Sequence, residues 1–257
     1  MNVYAHILLQ QQHQKKSLAV LVDPDKQNPE LLAETVAIAN SVNVDFFLVG
    51  GSLLTTDSLL QTVSFIKKES SIPVILFPGN ATHITPHADA ILFLSLISGR
   101  NPDLLIGQQV QAAPLLKASG METISTGYIL IDGGKPTTVS YVSNTVPIPA
   151  DKPEIAAATA LAGEMLGLKC IYLEAGSGAK IPVSEKIIQE VKKNISVPLI
   201  VGGGIRTPEK AIAACEAGAD IIVIGNAAET DPLLIADMAV AVHSFSSSPV
   251  PRPSSLK

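Results

Sequence analysis

Short apolar runs rich in β-branched residues recur along the chain, and most are followed by a stretch with helical spacing. They occupy residues 18–22, 46–49, 74–77, 91–94, 123–131, 170–173, 199–201 and 221–224. The short runs do not alternate apolar with polar, which predicts strands covered on both faces, as in a parallel sheet. Helix-start chemistry often follows. Thr207-Pro208-Glu209 places a capping Thr, a Pro at the first helical position and an acid near the positive helix end. Thr56-Asp57 and Thr230-Asp231-Pro232 repeat that signal. Eight strands in βα order predict a closed (β/α)8 barrel, with an open doubly wound sheet as the alternative. A weak repeat supports the barrel: Asp45-Phe-Phe-Leu-Val-Gly-Gly51 is similar to Asp220-Ile-Ile-Val-Ile-Gly-Asn226.

Two units depart from the pattern. Only residues 78–90 separate the third strand from the fourth, and Pro78, Gly79 and Pro86 leave no room for a covering helix. One flank of the wall is therefore expected to be thin. Residues 123–146 are long, β-rich and contain Gly133-Gly134, which predicts an extended strand or hairpin before a helix at 153–166.

Composition narrows the class. Apolar residues make up 47% and charged residues 16%, a buried-core balance and not a disordered one. A net charge of −5 argues against nonspecific nucleic-acid binding, which needs a basic surface. Cys170 and Cys215 match no metal spacing or disulfide framework, so a reducing, cytoplasmic setting is expected. Residues 1–16 lack the apolar core of a signal peptide, and no apolar run approaches the ~20 residues of a membrane-spanning helix. Residues 246–257 are Ser/Pro-rich and read as a disordered tail, leaving 1–245 as a single barrel domain.

In such a barrel the chemistry lies at the C-terminal ends of the strands. Glycines follow the sixth, seventh and eighth strands: Gly176 and Gly178, Gly202 to Gly204, and Gly225. They let backbone N–H groups approach an anion, so a phosphate site is expected there, unless they only form tight turns. Glu174 ends an otherwise apolar strand just before these glycines and is the general-base candidate; a structural salt bridge is the alternative. Asp23 and Ser52 end the first two strands and offer hard oxygen ligands suited to Mg²⁺ shared with a phosphorylated substrate, although Asp23 and Asp25 could instead cap the helix beginning near Pro29. His83 and His87 lie four apart, but Pro86 and the lack of a glutamate argue against a zinc pair. There is no dinucleotide fingerprint, Walker loop or nucleophile elbow.

Taken together, Leu21-Val-Asp-Pro-Asp-Lys26, Val49-Gly-Gly-Ser52, Tyr172-Leu-Glu-Ala-Gly-Ser-Gly178, Val201-Gly-Gly-Gly-Ile205 and Ile224-Gly-Asn-Ala227 resemble the geranylgeranylglyceryl phosphate synthases and their bacterial relatives. The resemblance implies a modified (β/α)8 barrel lacking the usual third helix. It also implies an ether-forming prenyl transfer, in which the 3-hydroxyl of sn-glycerol 1-phosphate attacks C1 of a polyprenyl diphosphate, geranylgeranyl diphosphate being expected. By position, Asp23 and Ser52 look like Mg²⁺ ligands. Tyr172, Leu173, Glu174, Ala175, Gly176, Ser177 and Gly178, with Gly203, Gly204, Gly225 and Asn226, look like the glycerol-phosphate site. Glu174 and Tyr172 are the catalytic candidates. Phe46, Phe47, Phe77, Phe93 and Tyr128 are candidates to line a prenyl groove along the thin flank. Some relatives carry Lys where this chain has Leu21, leaving Lys26, Lys180 or Arg206 as the positive partner of the phosphate. A homo-oligomer is expected. The alternatives are another phosphate-binding barrel enzyme and a non-catalytic phosphometabolite-binding barrel.

Overall fold

The computed structural model describes residues 2–245. The tail expected at 246–257 lies outside the described residues. Eight parallel strands close into a barrel in sequence order, the first pairing with the second and the eighth. They are β1 (Ser17–Val22), β2 (Phe46–Gly50), β3 (Val74–Phe77), β4 (Ala90–Leu96), β5 (Glu122–Leu130), β6 (Cys170–Glu174), β7 (Leu199–Gly202) and β8 (Ile221–Ile224). The helices are α1 (Val3–Gln12), α2 (Pro29–Ser41), α3 (Leu59–Glu69), α4 (Gln108–Ser119), α5 (Thr138–Val142), α6 (Pro153–Met165), α7 (Glu185–Asn194), α8 (Pro208–Ala217), α9 (Asn226–Thr230) and α10 (Leu234–His243).

Two separate apolar clusters explain why the strands do not alternate. Side chains such as Phe46, Leu48, Leu92, Ile124 and Ile200 fill the barrel interior. Their neighbours, such as Phe47, Val49, Ile91 and Val201, pack outward against the helices. Both faces are dry, so both must be apolar. Among the described residues, no helix is long and apolar enough to cross a membrane.

Helix starts follow local chemistry in part. Thr207 caps α8, accepting from the Lys210 N–H at 3.4 Å, and Asn28 caps α2, accepting from the Leu31 N–H at 2.7 Å. Each such cap contributes ~1 kcal/mol. Asp23 and Asp25 therefore do not cap α2. Thr56 caps nothing either: α3 starts at Leu59 behind Ser58, and Thr56 bonds to Asp25 instead. Thr230 closes α9, and α10 begins four residues later.

No helix lies between β3 and β4, as the short connection predicts. The fifth unit takes the extended-strand form of the expectation, β5 being the longest of the eight at nine residues, and not the hairpin. β5 stops at Leu130, and the chain forms a loop and the short α5 instead of a hairpin; only Ile131 bridges to Ile148, in parallel. Gly133 explains the turn away, because its backbone packs directly on the β6 loop, where its carbonyl accepts from the Lys180 and Ile181 N–H groups at 3.0 and 3.2 Å. The polar N-terminal stretch forms α1. Val3 and Ile7 plug the interior cluster from below, and the Glu122 carboxylate accepts from the Val3 and Tyr4 N–H groups at 2.6 and 3.0 Å.

Candidate active site

At the C-terminal end of the barrel a polar cavity of about 260 Å³ gathers loops from β1, β2, β6, β7 and β8. Of the residues singled out in the sequence, Asp23, Ser52, Tyr172, Glu174, Ser177, Gly178, Gly203, Gly204, Gly225 and Asn226 border it. Leu173 and Ala175 do not; their side chains pack in the outer core. Gly176 acts from behind: its N–H donates to Glu174 Oε1 at 2.6 Å.

Glu174 is held by alignment of the sheet. Its Cα pairs with Leu130 on one side and Gly202 on the other, so the strand end is fixed before the side chain turns into the cavity. The residue is only 6% exposed. Burial pushes its carboxyl up to about 7, although the Gly176 N–H and the neighbouring Tyr172 hydroxyl both favour the ionised form. A carboxyl poised near neutrality, with the cavity in front, suits proton abstraction from a hydroxyl. No ion pair holds it among the described residues, which excludes the salt-bridge alternative. The Tyr172 hydroxyl is buried beside it with geometry short of a hydrogen bond. Burial first, and then the Glu174 charge, raise the Tyr172 phenol well above its ordinary value, so it stays a neutral donor.

The glycines are needed by the geometry. At Gly203 (φ +83°) a side chain would press first on Glu174 Oε1 and then on the Gly176 and Ala175 amide nitrogens, the latter at 2.7 and 2.8 Å from the Cβ position. Ser177 Oγ and Asn226 Oδ1 join the β6 and β8 loops at 2.8 Å, so the three glycine turns form one rim.

A second, apolar groove of about 140 Å³ opens from the same end and runs along the thin flank. Its walls come from β3, β4, the loop replacing the third helix, α4 and α5. It shares Gly51, Ser52, Phe77, Tyr128 and Val139 with the polar cavity, so the two meet at those residues. Phe77, Tyr128 and Tyr172 contact one another there, Phe77 stacking on Tyr172 at 5.3 Å between ring centres. Of the aromatics proposed for the groove, Phe77, Phe93 and Tyr128 line it. Phe46 and Phe47 do not: Phe46 meets His6 edge-on inside the barrel, and Phe47 faces the helices. His83 is not a ligand. Its buried ring accepts from the Gly79 N–H at 3.1 Å, burial lowers its pKa, and His87 is exposed.

The PcrB family model matches residues 10–243. The chain belongs to the PcrB family. It is similar to the geranylgeranylglyceryl phosphate synthase of Chitinophaga pinensis, with 57% identity over 89% of this chain and 90% of that one. With the Thermococcus kodakarensis protein of the same name it shares 50% identity, covering 82% and 83%. The crystal structure of (S)-3-O-geranylgeranylglyceryl phosphate synthase from Thermoplasma acidophilum, in complex with sn-glycerol-1-phosphate, superposes with a TM-score of 0.90 at 35% identity, covering 95% of this chain and all of that one. The tryptophan synthase alpha chain of Legionella pneumophila, at 18% identity and a TM-score of 0.60, shares only the barrel fold.

The Mg²⁺ corner expected at Asp23 and Ser52 is testable on the donors present. A side chain at Gly51 would stand 3.4 Å from both Asp23 carboxylate oxygens, so that carboxylate abuts the Gly51-Ser52 backbone. Among the described residues no cluster of three or more His, Cys, Asp or Glu forms a protein cage for a metal. One carboxylate and one hydroxyl fit Mg²⁺, which commonly takes most of its ligands from water and substrate phosphates. Lys26 is the cation of this corner, 3.0 Å from Asp23 and 3.5 Å from Glu229. Burial opposes its charge, but the Asp23 and Glu229 carboxylates outweigh that and raise its pKa. Burial likewise raises Glu229, a cavity residue with no signal in the sequence beyond its place shortly after Gly225-Asn226. Arg206 borders the cavity while donating to the Ala179 carbonyl at 2.9 Å, whereas Lys180 is exposed outside it.

Proposed function

We propose that the chain joins sn-glycerol 1-phosphate to a polyprenyl diphosphate, geranylgeranyl diphosphate being the expected donor, through an ether bond at the glycerol 3-hydroxyl. The observation carrying this is the junction at Ser52, Phe77 and Tyr128, where a polar cavity holding a near-neutral carboxylate meets an apolar groove. The chain is a prenyltransferase of the geranylgeranylglyceryl phosphate synthase type.

The glycine rim would hold the phosphate through backbone N–H groups, which explains how a chain of net charge −5 accepts two anions. That anchor sets the glycerol hydroxyl before Glu174 and lowers the entropic barrier to attack. Glu174 takes the hydroxyl proton, the oxygen bonds to C1, and the C1–O bond breaks with its electron pair leaving on diphosphate. Asp23 and Ser52 would hold Mg²⁺, which would supply neutralisation of the leaving-group charge. Phe77 and Tyr128 mark where C1 would lie, and the groove beyond takes the prenyl tail. The two free, buried cysteines, Cys170 and Cys215, suit a cytoplasmic enzyme. Exposed apolar side chains such as Tyr141, Val146 and Leu166 suit a homo-oligomer.

Labelled sn-glycerol 1-phosphate, incubated with prenyl diphosphates of several lengths with and without Mg²⁺, tests the proposal. A lipid-soluble product that requires Mg²⁺ is expected; no such product at any chain length would overturn it.

A further inference from the structure

We propose that Asp25 is a positioning residue for the metal–diphosphate corner, clamping the β1 and β2 loops so that Asp23 and Ser52 act on one ion. The proposal rests on the prenyl-transfer function above and deepens it. Paired strand residues end at Val22 and Val49, and no backbone–backbone hydrogen bond joins the two loops beyond that point among the described residues. Yet Asp23 and Ser52 lie just past it, on separate loops.

The Asp25 carboxylate spans this gap. Its Oδ2 accepts from the Thr55 N–H at 2.5 Å and the Thr55 hydroxyl at 2.8 Å. Its Oδ1 accepts from the Thr56 hydroxyl at 2.5 Å and the Thr56 N–H at 3.3 Å. On the other side, the Asp25 N–H donates to Asp23 Oδ1 at 3.2 Å. One residue thus braces the Asp23 carboxylate and grips the chain three and four residues beyond Ser52. Helix capping does not account for these bonds, since Asn28 caps α2 and Ser58 makes no side-chain cap on α3. The brace on Asp23 is the Asp25 backbone N–H, which any residue there keeps; the Asp25 side chain sets the spacing between the two loops, and outer contacts that fix ligand geometry typically matter about tenfold to a hundredfold to metal affinity.

Calorimetric titration with inorganic diphosphate, with and without Mg²⁺, tests this on the full chain, with sn-glycerol 1-phosphate as the control ligand. Asp25→Ala should weaken Mg²⁺-dependent diphosphate binding about tenfold to a hundredfold and leave glycerol-phosphate affinity within about twofold. Asp25→Asn, which keeps one acceptor oxygen, should fall between it and the parent chain. Thr55→Val with Thr56→Val removes the two hydroxyl contacts and should weaken diphosphate binding in the same direction but less. Adding Asp25→Ala to that pair should cost less than it does in the parent chain, since only the two backbone N–H contacts then remain to be lost. Should Asp25→Ala fail to fold, the threonine pair carries the test. A folded Asp25→Ala chain binding Mg²⁺-diphosphate like the parent would overturn the clamp. So would an equal loss of glycerol-phosphate binding, or fully additive losses. If the parent chain shows no Mg²⁺-dependent diphosphate binding, the metal corner itself fails and the clamp with it; transfer activity in the parent with an unaffected Asp25→Ala chain defeats the clamp alone.

Discussion

The two halves of the site are built in opposite ways. The polar cavity is made of strand ends and glycine turns, with its base fixed by strand pairing on both sides. The apolar groove is made where the barrel omits a helix, from side chains of β4, a loop and two helices. Backbone groups suit an anion of constant shape, so on the proposed function the first half would have little freedom to vary. A hydrocarbon chain presents no polar atom to match, so the second half needs only volume and dryness. Each half should therefore respond to different substitutions.

Glu174→Gln should separate them most sharply. Turnover is expected to fall by about a hundredfold to ten-thousandfold, while binding of either substrate changes little, as steady-state kinetics with calorimetry would reveal. The pH profile gives the sign. With the carboxyl at about 7, the base is protonated and inactive below that value, so kcat/KM for glycerol phosphate should rise as pH passes through about 7. A Gln variant that retains this limb would remove Glu174 from the role.

Filling the groove should touch only the other half. Ala112 is a buried groove residue on α4, and Ala112→Phe should reduce transfer of long prenyl chains by about tenfold to a hundredfold. Shorter donors should suffer less, and glycerol-phosphate affinity should hold. An unchanged chain-length profile in a folded variant would mean the tail goes elsewhere.

Gly203→Ala probes the rim. Its φ of +83°, the Glu174 carboxylate oxygen nearest its Cβ position and the amides packed beneath it predict about a tenfold or greater loss of kcat/KM for glycerol phosphate, with Mg²⁺-diphosphate binding retained. Equal damage to both ligands would argue that the two halves are not independent.

The closed end of the barrel supplies the smallest effect. His243 on α10 lies 2.9 Å from Asp45, and that contact raises its pKa despite partial burial. A raised pKa means the charged form stabilises the fold below the unfolded value of about 6.5, with the benefit lost as pH rises through the folded value. Loss of the pair in His243→Ala should cost at most about 1 kcal/mol in acid, screened by solvent, and less at pH 8. Thermal melts at the two pH values check this, and activity per folded molecule should not change.

Strand order, the missing third helix and the glycine turns were all legible in the chain, because each is a local property: a dry run, a short prolyl connection, a Gly at a turn. Glu174 was legible for the same reason, as an acid closing an apolar strand. Other features were not. Val3 and Ile7 show no usable helical pattern, since only one corner of α1 is buried and its plug site exists only once the ring closes. Thr56 carries the signature of a helix cap, but Asp25 on the neighbouring loop competes for it and wins with four acceptor contacts shared between Thr55 and Thr56. Phe46 and Phe47 could not be told from Phe77 and Phe93 by type; the side of the wall and the end of the barrel each one faces decide that.

By itself, then, the sequence determined a parallel eight-stranded ring, its weak flank and the glycine turns at the strand ends, since short-range backbone and burial preferences suffice for these. The tertiary structure alone decided that the polar cavity and the groove share a wall at Ser52, Phe77 and Tyr128, that Glu174 is dry enough to sit near neutrality, and that residue 25 holds residues 55 and 56. Those depend on which distant side chains closure of the barrel brings together, and on how much water it leaves between them.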